Sequence, residues 1–139
     1  PQLEVVSEAA IVNVSSIFGL LGVPTNGDYC ATKFAVRGYT ETLMAELADT
    51  HIQVHVLHPG GIDTNIIKGT TFEEDPEARK MFSTSPEAVA QAVIRAIRKN
   101  TRRIVTGNLS GRFRFMHNAV PLRVITRMFN REMRKTETV

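Results

Sequence analysis

Residues 10–47 read AIVNVSSIFGLLGVPTNGDYCATKFAVRGYTETLMAEL, and their order decides the fold. Ala10–Ser16 is a short apolar, β-branched run that ends in two serines. Such a run suits a strand buried on both faces, as in a parallel sheet. Ile17–Asp28 holds three Gly, one Pro and an Asn-Gly pair, so it reads as a loop. Tyr29–Leu47 follows without Pro and with one Gly. Ala31, Phe34, Ala35, Gly38, Thr42 and Leu43 recur there at steps of three and four. That period predicts a long helix with a small-residue stripe fit for close packing.

The same alternation continues outward. Ile52–Leu57 (IQVHVL) is a second strand, stopped by His58-Pro59-Gly60-Gly61. Thr64–Ser83 is irregular and polar, with a short helix predicted from Asp75 to Phe82. Ser85 is the N-cap of a further helix, with Pro86 at its first position and Glu87 at the positive end of its dipole. Val89, Val93, Ala96 and Ile97 mark its buried face. Arg103–Thr106 is a third strand, closed by Gly107. Strand, helix, strand, helix, strand in this order predicts an α/β fold: a parallel sheet joined by right-handed crossovers and covered by helices. From Pro121, Leu122, Ile125, Met128, Phe129 and Met133 line one helical side, while Arg123, Arg127, Arg131 and Arg134 take much of the other. This basic amphipathic helix packs on its own domain or a partner, or lies against a membrane surface.

Composition sets outer bounds. The chain has 139 residues, 42% hydrophobic, an ordinary value for one globular domain. No apolar run approaches the ~18 residues of a membrane span. The lone Cys30 forms no internal disulfide and fits a reducing, cytoplasmic setting. The net charge of +3 hides an asymmetry: residues 1–94 carry five Lys/Arg against twelve Asp/Glu, and residues 95–139 twelve against two. The basic C-terminal block reads as a solvated helix face and tail rather than a nucleic-acid site. The four histidines, His51, His55, His58 and His117, show no metal-ligand spacing.

Chemistry concentrates at the strand ends. Tyr29 and Lys33 stand four apart at the start of a helix, hence on one face, with Cβ atoms about 5–6 Å apart. A free phenol titrates near 10, and an adjacent ammonium favours the phenolate. The pair is therefore a sensible acid/base unit. Ser16 precedes Tyr29 by thirteen residues across the Gly-rich loop, at the end of a strand where open α/β sheets place ligands. Its hydroxyl suits a substrate oxygen. Pro59-Gly60-Gly61-Ile62-Asp63-Thr64 ends the next strand, with glycines that let the backbone approach a flat ring and a Thr64 hydroxyl for an amide or phosphate oxygen.

Asn13-Val14-Ser15-Ser16, Tyr29-x-x-x-Lys33 and Pro59-Gly60-x-x-x-Thr64, at these spacings, resemble the short-chain dehydrogenase/reductase family, in its single-domain branch. The resemblance is specific over residues 10–67 and extends weakly to about residue 110. It implies the C-terminal half of a doubly wound Rossmann-type sheet in residues 1–110, with residues 111–139 as a basic, partly helical extension. It implies NAD or NADP as cofactor and the interconversion of a secondary alcohol and a ketone. By resemblance Ser16 polarises the carbonyl and Tyr29 moves the proton. Lys33 holds the nicotinamide ribose and assists Tyr29, and Pro59, Gly60, Ile62 and Thr64 line the nicotinamide. It further implies a homo-oligomer formed through the Tyr29–Lys33 helix.

Two family features are missing. No Gly-x-x-x-Gly-x-Gly turn occurs, and the Asn that completes the family's proton relay is absent. The expectation is that the N-terminal βαβ units lie upstream, roughly 100 residues at ~30 per unit, with Pro1–Leu3 ending the preceding helix. The isolated chain is then expected to be inactive. The competing reading is a non-catalytic fragment or interaction module of the same fold. Phe18, Leu20, Leu21, Ile66, Ile67 and Phe72 suggest an apolar substrate pocket, with some of them in the core instead, and residues 64–84 a flexible lid over it.

Overall fold

A computed structural model describes residues 2–65, 68, 69, 74 and 76–136. Three strands, β1 (Ala9–Val14), β2 (Ile52–Pro59) and β3 (Arg103–Thr106), form one sheet in the order β1-β2-β3. Both pairings are parallel, with Ala9 opposite Ile52 and Val56 opposite Arg103 at their starts. The predicted α/β order and the parallel sheet are thus present. β2 is the middle strand and is buried along nearly its whole length. β1 is only half-buried, not buried on both faces as the sequence suggested. It ends the sheet among the described residues, so it lacks the flanking strand that would cover it.

Helix α1 (Gly27–Glu46) and helix α3 (Pro86–Arg98) cover opposite faces of the sheet. Successive strand residues point to opposite faces. Val12 packs with Leu57, Val89, Ala96 and Ile104 on the α3 side. The neighbouring Asn13 donates from Nδ2 to Thr40 Oγ1 of α1 at 3.1 Å, and Thr40 passes its own proton to the Val36 carbonyl. The α3 start follows the sequence closely: Ser85 Oγ accepts from Ala88 N at 3.2 Å, with Pro86 at the first position. Between β2 and α3 lies the short α2 (Pro76–Lys80), inside the span predicted for it. Gln2–Glu4 forms a turn rather than a helix end. Pro1 is outside the described residues.

The structure decides the sidedness of α1. Its fully buried residues are Cys30 and Thr40, while Ala31, Phe34, Ala35, Gly38 and Thr42 are exposed. The small-residue stripe therefore lies away from the sheet. Periodicity located a stripe, but it could not say which face the sheet takes. The Cys30 thiol is buried, as a small apolar-like residue should be, and accepts from Val23 N at 3.4 Å.

Two helices follow β3: α4 (Ser110–Ala119) and α5 (Leu122–Thr136). The sequence reading drew a helical stripe only from Pro121 onward. Helix α4 was obscured because Arg and Phe alternate over residues 112–115, and its start at Leu109 has no side-chain cap. Both helices belong to one apolar cluster: Ile17 and Leu21 from the loop after β1 pack with Phe113, Met116 and Ile125. Phe18 and Phe129 border the same cluster. The C-terminal helices are therefore anchored on the loop that carries Ser16.

Candidate active site

The carboxyl ends of β1 and β2 bring three of the sequence-predicted groups together. Tyr29 stands in the first turn of α1, with its backbone N–H donating to its neighbour Asp28 Oδ1 at 2.8 Å. An acidic side chain there suits the positive end of the helix. One turn on, Lys33 Nζ donates to the Val14 carbonyl at 3.3 Å, at the last residue of β1. The same ammonium lies 5.6 Å from the Tyr29 ring centroid, within reach of a cation–π attraction. The i, i+4 spacing and the strand end together fix this pair. Tyr29 keeps 39% of its surface exposed.

Ser16 lies two residues beyond the end of β1 and caps a 3-10 turn, Ile17–Gly19. The sequence placed it inside the strand. The structure ends the strand at Val14 because Ser16 Oγ takes up the turn's own backbone, accepting from Phe18 N at 3.2 Å. A hydroxyl that accepts there still has its proton to donate. The adjacent Ser15 has a structural bond instead: its Oγ donates to the Lys33 carbonyl at 2.8 Å and ties the loop to α1. Phe18 links the candidate groups. Its N–H meets Ser16, its ring stands edge-on to Tyr29 at 6.0 Å and 80°, and it stacks on Phe113 of α4 at 5.7 Å. Leu20 and Leu21 are core residues rather than pocket walls. Ile66, Ile67 and Phe72, also read as pocket residues, lie outside the described residues.

His58 is a positioning group, of which the sequence showed only that it has no metal-ligand spacing. It is fully buried, and Nδ1 donates to the Ser16 carbonyl at 2.8 Å. That bond fixes the neutral Nδ1–H form and holds the Ser16 turn onto β2. Nε2 is then a buried acceptor with no partner among the described residues. Burial pulls the His58 pKa below its ordinary 6.5 by disfavouring the charged ring, against the opposing effect of the Ser16 bond. His117 of α4 is lowered in the same direction by burial, opposed by its bond to the Leu20 carbonyl.

The Pro59–Thr64 segment leaves β2 at Pro59. Its glycines are required by the protein's own packing. A Cβ on Gly60 would collide with the Asn108 carbonyl, and one on Gly61 with the Met81 carbonyl. The space is filled by the protein's own backbone. Gly61 bridges Asn108 and Ile62 bridges Thr84, so the motif is woven into two neighbouring loops. Ile62 packs against the α3-side cluster. Thr64 is exposed beyond it.

Asn108 organises this corner and was missed. Its Nδ2 donates to the Lys80 and Met81 carbonyls at 2.9 and 3.2 Å, its Oδ1 accepts from Leu109 N at 2.9 Å, and its backbone N–H donates to Thr84 Oγ1 at 2.7 Å. The available signal was the Gly107-Asn108 pair, a turn sequence in which Asn bonds nearby backbone. Nothing local revealed that its side chain reaches residues 80 and 81.

An open parallel α/β sheet with the candidate side chains at the strands' carboxyl ends defines the class: an α/β fold of the kind whose ligand sites lie outside the carboxyl ends of the strands. A model of the short chain dehydrogenase family matches residues 1–75. The chain belongs to the short chain dehydrogenase family. A Mycobacterium tuberculosis protein named as an oxidoreductase, SadH, is 37% identical over 117 residues, covering 77% of this chain and 42% of that protein. The 3-oxoacyl-[acyl-carrier-protein] reductase FabG of Chlamydia muridarum is 34% identical over 104 residues, covering 72% of this chain and 42% of the relative. Among solved structures, a Burkholderia phymatum short chain dehydrogenase/reductase in complex with NAD aligns at a TM-score of 0.67 and 25% identity over 84% of this chain and 50% of its own. A Burkholderia cenocepacia short chain dehydrogenase in complex with NADP shares the fold at a TM-score of 0.71 and 24% identity, over 86% of this chain and 48% of its own. The chain thus spans about half the length of the proteins it matches.

Proposed function

We propose that this chain supplies the reaction half of an NAD(P)-dependent oxidoreductase that interconverts a secondary alcohol and a ketone. The observation that carries the reading is the Lys33 ammonium, held by the Val14 carbonyl beside the Tyr29 ring at the end of a parallel strand. Relatives named 3-ketodihydrosphingosine reductase and 3-oxoacyl-[acyl-carrier-protein] reductase support a ketone as substrate. Relatives bound to NAD and NADP support the cofactor.

The donor set suits a nicotinamide ribose. Lys33 has ammonium protons beyond the one on Val14, and the partly exposed Tyr29 stands on the same helix face. Lys33 and Tyr29 would hold the ribose, with Pro59, Gly60, Ile62 and Thr64 beside the ring. The nicotinamide, when bound, supplies the hydride acceptor or donor. Ser16 donates its hydroxyl proton to the substrate oxygen while Phe18 N–H orients Oγ from behind. Tyr29 gives a proton to that oxygen in reduction and takes one in oxidation, and Lys33 keeps positive charge beside it. His58 acts through the Ser16 carbonyl. The exposed stripe of Ala31, Ala35, Gly38 and Thr42 supports association of two copies through α1. The buried free thiol of Cys30 fits a cytoplasmic setting.

Tyr29→Phe in the full-length protein is the test, with NADH and NADPH against a panel of ketones. Loss of turnover of about 10²–10⁴-fold is expected for a missing acid/base group, with cofactor binding weakened far less because Lys33 still holds the ribose. Wild-type turnover by the variant would remove Tyr29 from the reaction.

A further inference from the structure

A cleft of about 390 Å³ opens between α4 and α5, within the ~300–1,000 Å³ range of small-molecule sites. Its walls include Phe113, Met116, Met128 and Phe129, and Arg112 and Arg131 stand among them. No acidic residue lines it among the described residues. Neither arginine has an ion-pair partner among the described residues. The two cations are set by helix geometry. Arg112 lies four residues before Met116 on α4, and Arg131 three after Met128 on α5, so each shares a face with an apolar wall residue. Met128 is partly exposed, which leaves an adaptable thioether facing solvent at the cleft.

We infer that this cleft binds a single amphiphile: an unbranched alkyl or acyl chain between the phenylalanine and methionine walls, with an anionic end group on Arg112 and Arg131. Apolar walls alone would take any hydrophobe. The two unpaired guanidinium groups select an anion, because charge-assisted bonds to a carboxylate or phosphate are the stronger kind. The site also adjoins the reaction centre: Phe113 stacks on Phe18, which stands edge-on to Tyr29. A chain bound there lies two ring contacts from the acid/base pair. The inference concerns binding and holds whether or not Tyr29 is the acid.

Titration calorimetry of the full-length protein tests it, using dodecanoate, dodecanol and dodecyltrimethylammonium as monomers in solution. Dodecanoate should bind one per chain, about tenfold more tightly than dodecanol, with the cation weaker still. Arg112→Gln with Arg131→Gln should abolish that preference and leave dodecanol affinity unchanged. Both arginines are exposed, so the fold survives their loss. Met128→Trp should fill the cleft and weaken both ligands. NADH or NADPH binding to each variant separates this outcome from failure of the oxidoreductase reading. Equal dodecanoate affinity in the arginine variant, or no saturable dodecanoate binding, overturns the inference. So does capture by phosphatidylglycerol vesicles without dodecanoate binding, which assigns the surface to a bilayer. A dimer broken by Met128→Trp, again without dodecanoate binding, assigns it to a second copy.

Discussion

Asn108→Ala removes the side chain that holds residues 80–84 to the turn after β3. The amide donates to the Lys80 and Met81 carbonyls at 2.9 and 3.2 Å, and its oxygen accepts from Leu109 N at 2.9 Å. The amide also donates to Ser83 Oγ at 3.3 Å, and a net contribution of about 0.5–1.5 kcal/mol for each bond gives roughly 2–6 kcal/mol for the four. Those bonds to residues 80 and 81 are exposed, so water recovers part of that, and the expected loss is about 2 kcal/mol. Leu109 adds to the cost, because its φ of 62° is a left-handed conformation that the Asn108 bond supports. Urea unfolding should report the lower midpoint with an unchanged slope. Hydrogen exchange should show Asn108 N–H and Thr84 N–H losing protection together. Asn108→Asp is the sharper control. It keeps the acceptor for Leu109 N but turns two donated bonds into a carboxylate facing two carbonyls. It should therefore destabilise at least as much as Ala at neutral pH, and less once the carboxylate is protonated below about pH 4. A neutral Asn108→Asp, or a loss under about 0.5 kcal/mol for Asn108→Ala, would refute the reasoning.

Two further outcomes follow from the same corner of the structure. Gly60→Ala places a methyl against the Asn108 carbonyl, a backbone atom that cannot rotate aside, and should cost about 1–3 kcal/mol in urea unfolding. A wild-type midpoint would show that the close approach is not real. His58 sets a pH dependence: its folded-state pKa is lowered, so the unfolded chain binds the extra proton as pH falls through about 6.5. Stability is fully present above that pH and declines below it, by at most about 1.4 kcal/mol per pH unit, until the folded-state pKa is passed. His58→Phe should flatten the decline, and an unaltered slope in that variant would assign it to another group.

Much of this was legible in residues 10–107 alone. Strand and helix periods differ, Ser85-Pro86 is a local start signal, and Tyr29 with Lys33 share a face by helix geometry, so each can be read without knowing the fold. What the sequence could not determine was which partner each face would meet. The α1 stripe of small residues turned out to face away from the sheet, because the sheet takes the Cys30–Thr40 side. Ser16 became a turn cap, His58 its buried support and Gly60 a contact for Asn108, through atoms 42 and 48 residues apart in the chain. Local propensity has no term for such long-range neighbours. Tyr29 and Lys33 were set by their own helix, whereas their approach to the Val14 carbonyl and the Phe18 ring came only when β1 and α1 packed together.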